Sequence, residues 1–516
     1  MGVFPDSLDP QYGYTTQAAD ADYLVYTPLL TFAHESGVAG TRVIPGLATG
    51  LPVVTDGGET YTLYLRRGLR FSDGTLAKAS DFTFAIERAL RLSWGGDPFY
   101  TENIVGASAY QSGKAHMISG ITSDDATGKI VIRLVRPYGA FEDVLALPSS
   151  APVPSTTPMK VLSTDPPPGI GSYEIIKVDP NVGFVLQRNP LFPSFHIPGI
   201  PTGSVDTVRV TVQSNGLTEA EDVLDNVTDV FDWGDTIPSS LLARIKTEAK
   251  GRYREETSAS TDFFFLNTQS APFDNVSARE AVNLAINRVS LAKLASGQLT
   301  PACFFLPSVI PGHASGPCPE GSPTATGSPA DIDRAKVLVS KAGLDDVAVT
   351  VWTSSSSPEQ GFGTYLVSVL DQIGFRASLR VLAGSVYFET TGNAATDPQI
   401  GYGTWIEDFP NPSDFYLLLD ARDIQRVNNE NLSKVDDRHI QQIIERLDTV
   451  PASKLSTVAS QWSALERYVA GKYYMAVFGH GISPFFVSSR IDTATTVFNP
   501  LFGDDWSTFQ LKPSRG

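Results

Sequence analysis

Val347-Ala348-Val349-Thr350-Val351-Trp352, then Phe362, Tyr365, Leu366, Val369 and Leu370 ahead of Gly374, then the run Phe375–Leu382, decide the fold class. The first run is short and β-branched, which predicts a strand. The middle residues recur at helical intervals, and Gly374 stands where a helix would stop. The last run alternates and predicts a second strand. A helix between two strands implies that the strands are parallel, with the helix crossing one face of their sheet. This part of the chain is therefore α/β.

Working outward, Ser277-Ala278-Arg279-Glu280 is a capping box that predicts a helix running to Gly297. Asp331 opens another, with Ala335, Leu338 and Val339 on one face and Gly343 past its end. Two amphipathic helices are expected near 436–447 and 454–470. The first third reads as β-rich: Tyr61–Leu65 alternates after an Asp56-Gly57-Gly58 turn, and a helix with Phe82, Ala85, Ile86 and Ala89 on one face starts near Ser80. Segment 148–170, with Pro166-Pro167-Pro168, reads as a crossing between subdomains. Strands are expected again at 172–176, 183–186 and 208–212.

The 516 residues carry a formal net charge of −17, with 42% hydrophobic residues. That apolar fraction excludes a disordered chain. No run of about 18 apolar residues is present, which excludes a helical membrane span. The negative balance argues against nucleic acid as a partner. The length implies two or more domains. The opening Met1-Gly2-Val3-Phe4 has neither the basic nor the apolar region of a signal peptide. Both cysteines, Cys303 and Cys318, fall in one Pro/Gly-rich stretch, 301–329, that cannot be helical. A disulfide would pin that loop, by roughly 3 kcal/mol for one of this size. It would also imply an oxidising compartment.

Signatures of catalysis are missing: no G-x-S-x-G, H-E-x-x-H, C-x-x-C or Walker loop occurs. The six histidines never stand four apart, so no metal or other cofactor is expected. The acidic pairs Asp124-Asp125, Asp345-Asp346 and Asp436-Asp437 read as turns and helix starts. One segment, Ile400–Pro412, combines glycines, Tyr402, Trp405, Glu407, Asp408 and Phe409. Glycines admit close backbone approach, aromatics supply flat apolar contact, and a carboxylate can pair with a ligand ammonium.

Several segments, in order along nearly the whole chain, resemble the solute-binding proteins of peptide-type ABC transporters, the oligopeptide/dipeptide/nickel-binding family. The most specific run is Ile44-Pro45-Gly46-Leu47-Ala48, Tyr61–Thr75 and Ala79-Ser80-Asp81-Phe82. Pro168–Tyr173, Arg188-Asn189-Pro190, Pro272-Phe273-Asp274-Asn275 and Trp405…Asp408-Phe409-Pro410-Asn411-Pro412 are similar to further family motifs.

The resemblance implies a two-lobe periplasmic-binding-protein-like α/β fold (type II, cluster C). The lobe I core would comprise 1–44, 169–256 and 481–516, with 45–168 an extra subdomain and 257–480 lobe II. Hinge strands would lie near Phe263–Asn267 and Phe478–Phe486. It further implies an extracytoplasmic, monomeric, non-enzymatic protein that delivers oligopeptides to an ABC permease, periplasmic or lipid-anchored. The W-x-x-D motif of the family puts the ligand-amine anchor at Asp408, flanked by Trp405. Phe409 stands where the family often has Tyr. Tyr402 and Tyr14 complete the expected ligand contacts. Gln360-Gly361 occupy the place where some dipeptide binders carry Arg, which favours longer peptides. The alternative is an oligosaccharide or other small-solute binder, with Tyr12, Tyr14, Trp352, Tyr402 and Trp405 as stacking faces.

Overall fold

The computed structural model describes residues 1–321, 330–355, 358–426 and 429–513. They form two compact units. Unit 1 is Met1–Glu256, Asp448–Ser453 and Ser483–Gly516; unit 2 is Thr257–Leu447 and Lys454–Ile482.

Unit 2 is built on a six-stranded sheet. Its order is Leu299–Pro301, Met475–Phe486, Tyr253–Leu266, Ile400–Ile406, Ala348–Ser354, Arg376–Leu382. The last two strands pair in parallel from Ala348↔Arg376 to Ser354↔Leu382, with helix Glu359–Ile373 between them in sequence. The β-α-β reading is borne out. Gly374 ends the helix at φ 112°, a conformation only glycine adopts without strain.

The run Phe263-Phe264-Phe265-Leu266 is wholly apolar because both faces of its strand are covered. Phe264 and Leu266 enter one core, with Phe362, Leu366 and Phe478. Phe263 and Phe265 enter the other, with Tyr416, Trp462 and Val477. Cys303 and Cys318 are joined in a disulfide. The loop they close is held further by Glu466, whose carboxylate accepts the Leu306 N–H at 2.5 Å and the Ala314 N–H. Residues 322–329 of the expected Pro/Gly-rich stretch lie outside the described residues.

The helix expected from Ser277 to Gly297 is two. Asn275, not Ser277, caps the first, Val276–Ala285, by accepting the Ser277 N–H. Ile286 then turns extended at ψ 135°, and Asn287 caps a second helix, Arg288–Leu294. Two Asx caps outweighed the capping box because each satisfies a backbone donor directly.

Unit 1 holds a four-stranded antiparallel sheet, ordered Val53–Thr55, Thr60–Tyr64, Lys129–Arg133, Ile121–Asp124. Helix Ala79–Leu92 buries Phe82, Ala85, Ile86 and Ala89, as its spacing predicts. The same helix also buries Arg88, which grips Asp9 through two bonds of 2.5 and 2.7 Å and donates to the Pro158 and Lys160 carbonyls. One guanidinium thus fixes the N-terminal loop and the proline-rich crossing together. A three-stranded sheet, Tyr173–Asp179, Gly183–Arg188 and Thr207–Thr211, packs with helix Thr16–Val25. The hairpin Val497–Asn499 and Gly503–Asp505 belongs to this unit as well.

Candidate functional site

Strand Ile400–Ile406 is central in the sheet of unit 2, between Tyr253–Leu266 and Ala348–Ser354. It runs directly into Glu407 and Asp408, so the turn that carries them hangs from a buried strand. Gly401 and Gly403 are required there: a Cβ on either would overlap the Phe265 or Phe263 ring, at 2.7 and 2.5 Å.

Trp405 is half-buried, and its Nε1–H donates to Asp414 Oδ2 at 3.1 Å. The Asp408 backbone N–H donates to the same oxygen at 3.1 Å. Asp414 sits in the short helix Pro412–Tyr416, started by Asn411, whose side chain accepts the Ser413 N–H. A buried carboxylate thus clamps the indole and the turn in one arrangement. Sequence reading missed Asp414, although Asn411-Pro412 is an N-cap followed by Pro at N1, which places a helix over 412–416.

Glu407, noted in the sequence only as part of this segment, is set apart by its burial. Its N–H donates to the Ala259 carbonyl, while both carboxyl oxygens are buried and have no hydrogen-bond partner among the described residues. Burial, then Asp414 and Asp408, hold its carboxyl well above the usual range. Glu430 is raised too, by burial and by Asp408. The turn is therefore a concentration of carboxyl groups suited to a cation.

Tyr402 is buried in the core of unit 2, its hydroxyl donating to Asp262 at 2.6 Å and its ring 5.8 Å from Phe362. Burial pushes Asp262 up to about 6. Phe409 is buried. Tyr14 belongs to unit 1, where its exposed ring meets Trp94 edge-on at 5.5 Å. Trp352 is buried in the core and capped by the Arg380 guanidinium at 4.0 Å. Within unit 2, Trp352, Tyr402 and Trp405 therefore form no exposed stacking platform. Gln360 and Gly361 lie in the first turn of helix Glu359–Ile373, beside Glu359, so this turn carries an acid and no arginine. Among the described residues, no group of three His, Cys, Asp or Glu side chains is arranged to hold a metal ion, and no helix is long and apolar enough to cross a membrane.

The model of one family, Bacterial extracellular solute-binding proteins, family 5 Middle, matches residues 42–424. The glutathione-binding protein GsiB of Escherichia coli O6:K15:H31 (strain 536 / UPEC) is 29% identical over 347 residues, which is 66% of this chain and 61% of that protein. The match thus spans less than two thirds of that relative's length. Among solved structures, "Clavulanic acid biosynthesis oligopeptide binding protein 2" superposes with a TM-score of 0.87 at 24% identity, over 99% of this chain and 94% of the other. The unliganded open form of the periplasmic murein tripeptide binding protein MppA gives 0.78 at 19% identity, over 100% and 97%. Haemophilus influenzae OppA in complex with RPPGFSPFR gives 0.71 at 18%, over 99% and 97%. These likenesses establish the two-lobe α/β fold of type II.

Proposed function

Because this chain belongs to family 5 of the bacterial extracellular solute-binding proteins, we propose that it is the binding component of an ABC importer. It captures oligopeptides between two closing lobes and hands them to a membrane permease. It acts as a monomer outside the cytoplasm, periplasmic or lipid-anchored, and performs no catalysis. Residues 45–168 are taken as a subdomain added to the first lobe.

The observation that carries this reading is the clamp of Asp414 on Trp405 and Asp408. It holds a carboxylate-bearing turn rigid at the end of a buried strand, as recognition of a terminal ammonium requires. Asp408 is assigned as the amine anchor, Trp405 as its flank, Tyr402 and Phe409 as the floor, and Tyr14 as a contact from unit 1. Backbone pairing with an extended peptide would supply affinity without side-chain selectivity.

Native mass spectrometry of the purified protein should find co-purifying peptides. Asp408→Asn should weaken peptide binding by more than about tenfold in calorimetry, because a charge-assisted bond is lost. Unchanged affinity would remove Asp408 from the role.

A further inference from the structure

Four consecutive residues at the start of the disulfide-closed loop are each fixed to a different part of unit 2. Cys303 is bonded to Cys318. The Phe304 carbonyl accepts the His480 Nε2–H at 2.9 Å, from strand Met475–Phe486. The Phe305 carbonyl accepts the Thr261 hydroxyl at 2.7 Å, from strand Tyr253–Leu266. The Leu306 N–H is held by Glu466 of helix Ala459–Ala470, and the Leu306 carbonyl accepts the His313 Nδ1–H at 2.7 Å. Residues 303–306 belong to no helix or strand. Side chains and a covalent bond thus take the place of a regular hydrogen-bond ladder.

What this anchoring fixes is the Phe305 ring. It is buried and meets three aromatic rings edge-on: Phe263 at 5.9 Å and 84°, Phe415 at 5.5 Å and 84°, and Tyr416 at 6.4 Å and 90°. Edge-to-face contacts prescribe an angle as well as a distance, which aliphatic packing does not. The partners of Phe305 lead to both halves of the candidate site. Thr261 and Phe263 stand opposite Trp405 and Gly403 in the antiparallel ladder. Phe415 and Tyr416 follow Asp414 in helix Pro412–Tyr416. Trp405 itself packs against the same core. Phe305 therefore joins the ladder that holds Trp405 to the helix that holds Asp414. Those two residues are the partners in the 3.1 Å indole bond.

We propose that Phe305 is a positioning residue for the ligand turn. By setting the spacing between strand Tyr253–Leu266 and helix Pro412–Tyr416, it keeps Asp414 within reach of the Trp405 indole and the Asp408 N–H. Its part in ligand capture rests on the function proposed above, and it acts on the ligand only through that clamp. A hydrogen bond weakens steeply with misalignment, so a small change in spacing opens the clamp. Leucine at 305 keeps the apolar character and removes the ring edges. The disulfide belongs to the same device, since it fixes the chain two residues before Phe305.

The test reads the clamp and the affinity separately. The indole N–H signals of Trp405 and Trp233 are identified by NMR, each through its loss in the corresponding Trp→Phe variant. Trp233, whose indole N–H donates to Asp20 in unit 1, is the internal control. In Phe305→Leu the Trp405 signal should shift while that of Trp233 stays in place. Affinity for tetra-alanine, by calorimetry, should fall by about tenfold or more, as when the support of a binding group is removed. An unmoved Trp405 signal in Phe305→Leu overturns the proposal. If the Trp233 signal moves as well, the Cys303→Ala/Cys318→Ala double variant, which retains Phe305 and releases its loop, carries the same comparison. A selective shift of Trp405 there upholds the proposal, and no shift overturns it. A selective shift with undiminished affinity upholds the spacing role and removes the turn from ligand binding. If the native protein binds no tetra-alanine, the peptide reading fails and the indole signal alone decides the role of Phe305.

Discussion

Glu466 shows how one residue links local bonding to solution behaviour. Its carboxyl is fully buried, takes two backbone N–H groups of the disulfide-closed loop, and is pushed up to about 8, mainly by burial. The unfolded chain releases this proton near 4.5, while the folded chain holds it to about 8. Stability is therefore complete below 4.5 and declines as pH rises through 8. Glu466→Gln removes the ionisation and keeps an acceptor. We expect the variant's unfolding temperature to fall less steeply between pH 6 and 8 than the native protein's, a difference on the order of a few kcal/mol at the alkaline end. An unchanged slope in scanning calorimetry would show that Glu466 is charged in the fold. Nothing in the sequence distinguishes Glu466 from its neighbours in a helical heptad. Asp408 could be singled out because its motif is local; the burial of Glu407 and the clamp of Asp414 could not, because they depend on which atoms approach after folding.

Helix Glu359–Ile373 carries two glycines with opposite meanings. Gly361 is exposed, and an added Cβ would meet nothing within 4 Å. Gly363 faces the sheet, where a Cβ would lie 2.7 Å from Thr353 side-chain atoms and 3.0 Å from Leu379. Helix propensity alone would have both replacements by alanine stabilise, by about 0.8–1 kcal/mol. We expect that gain for Gly361→Ala and a loss of about 1–3 kcal/mol for Gly363→Ala, since overpacking overrides propensity. Urea unfolding of the two variants gives the comparison directly; two gains would mean that the helix can slide on its sheet. The element itself was readable from period and end signals. The closeness of its approach to the sheet was not, because glycine reads alike in both settings. The split of the helix expected over 277–297 has a similar origin: Asn275 and Asn287 act as caps only when their side chains turn back on the backbone.

At the scale of the molecule, buried carboxyl groups set the acid–base behaviour. Asp232 in unit 1 and Asp262 in unit 2 are pushed up to about 6, and Glu466 to about 8, each chiefly by burial. Their contributions are complete near pH 4 and are lost as pH rises through these values. His480 works in the other direction. Burial pushes it down to about 4, so its contribution is complete above 6.5 and is lost as pH falls toward 4. Above 6.5 only the carboxyl losses remain. Thermal stability should therefore peak on the acid side of neutrality and decline from pH 6.5 to 8. A rise over that interval in scanning fluorimetry would contradict the burial of these groups.

The sequence by itself determined the α/β class, the parallel unit at 347–382 and the family-like motifs. These depend on periodicity, end signals and short-range spacing, which neighbouring residues set among themselves. Only the tertiary structure decided that Asp414 clamps Trp405, that Arg88 grips Asp9, and that Glu466 holds the loop at Leu306. Those partners are separated by up to 160 residues. Burial, which decides whether a carboxyl is charged, exists only once the chain has closed around it.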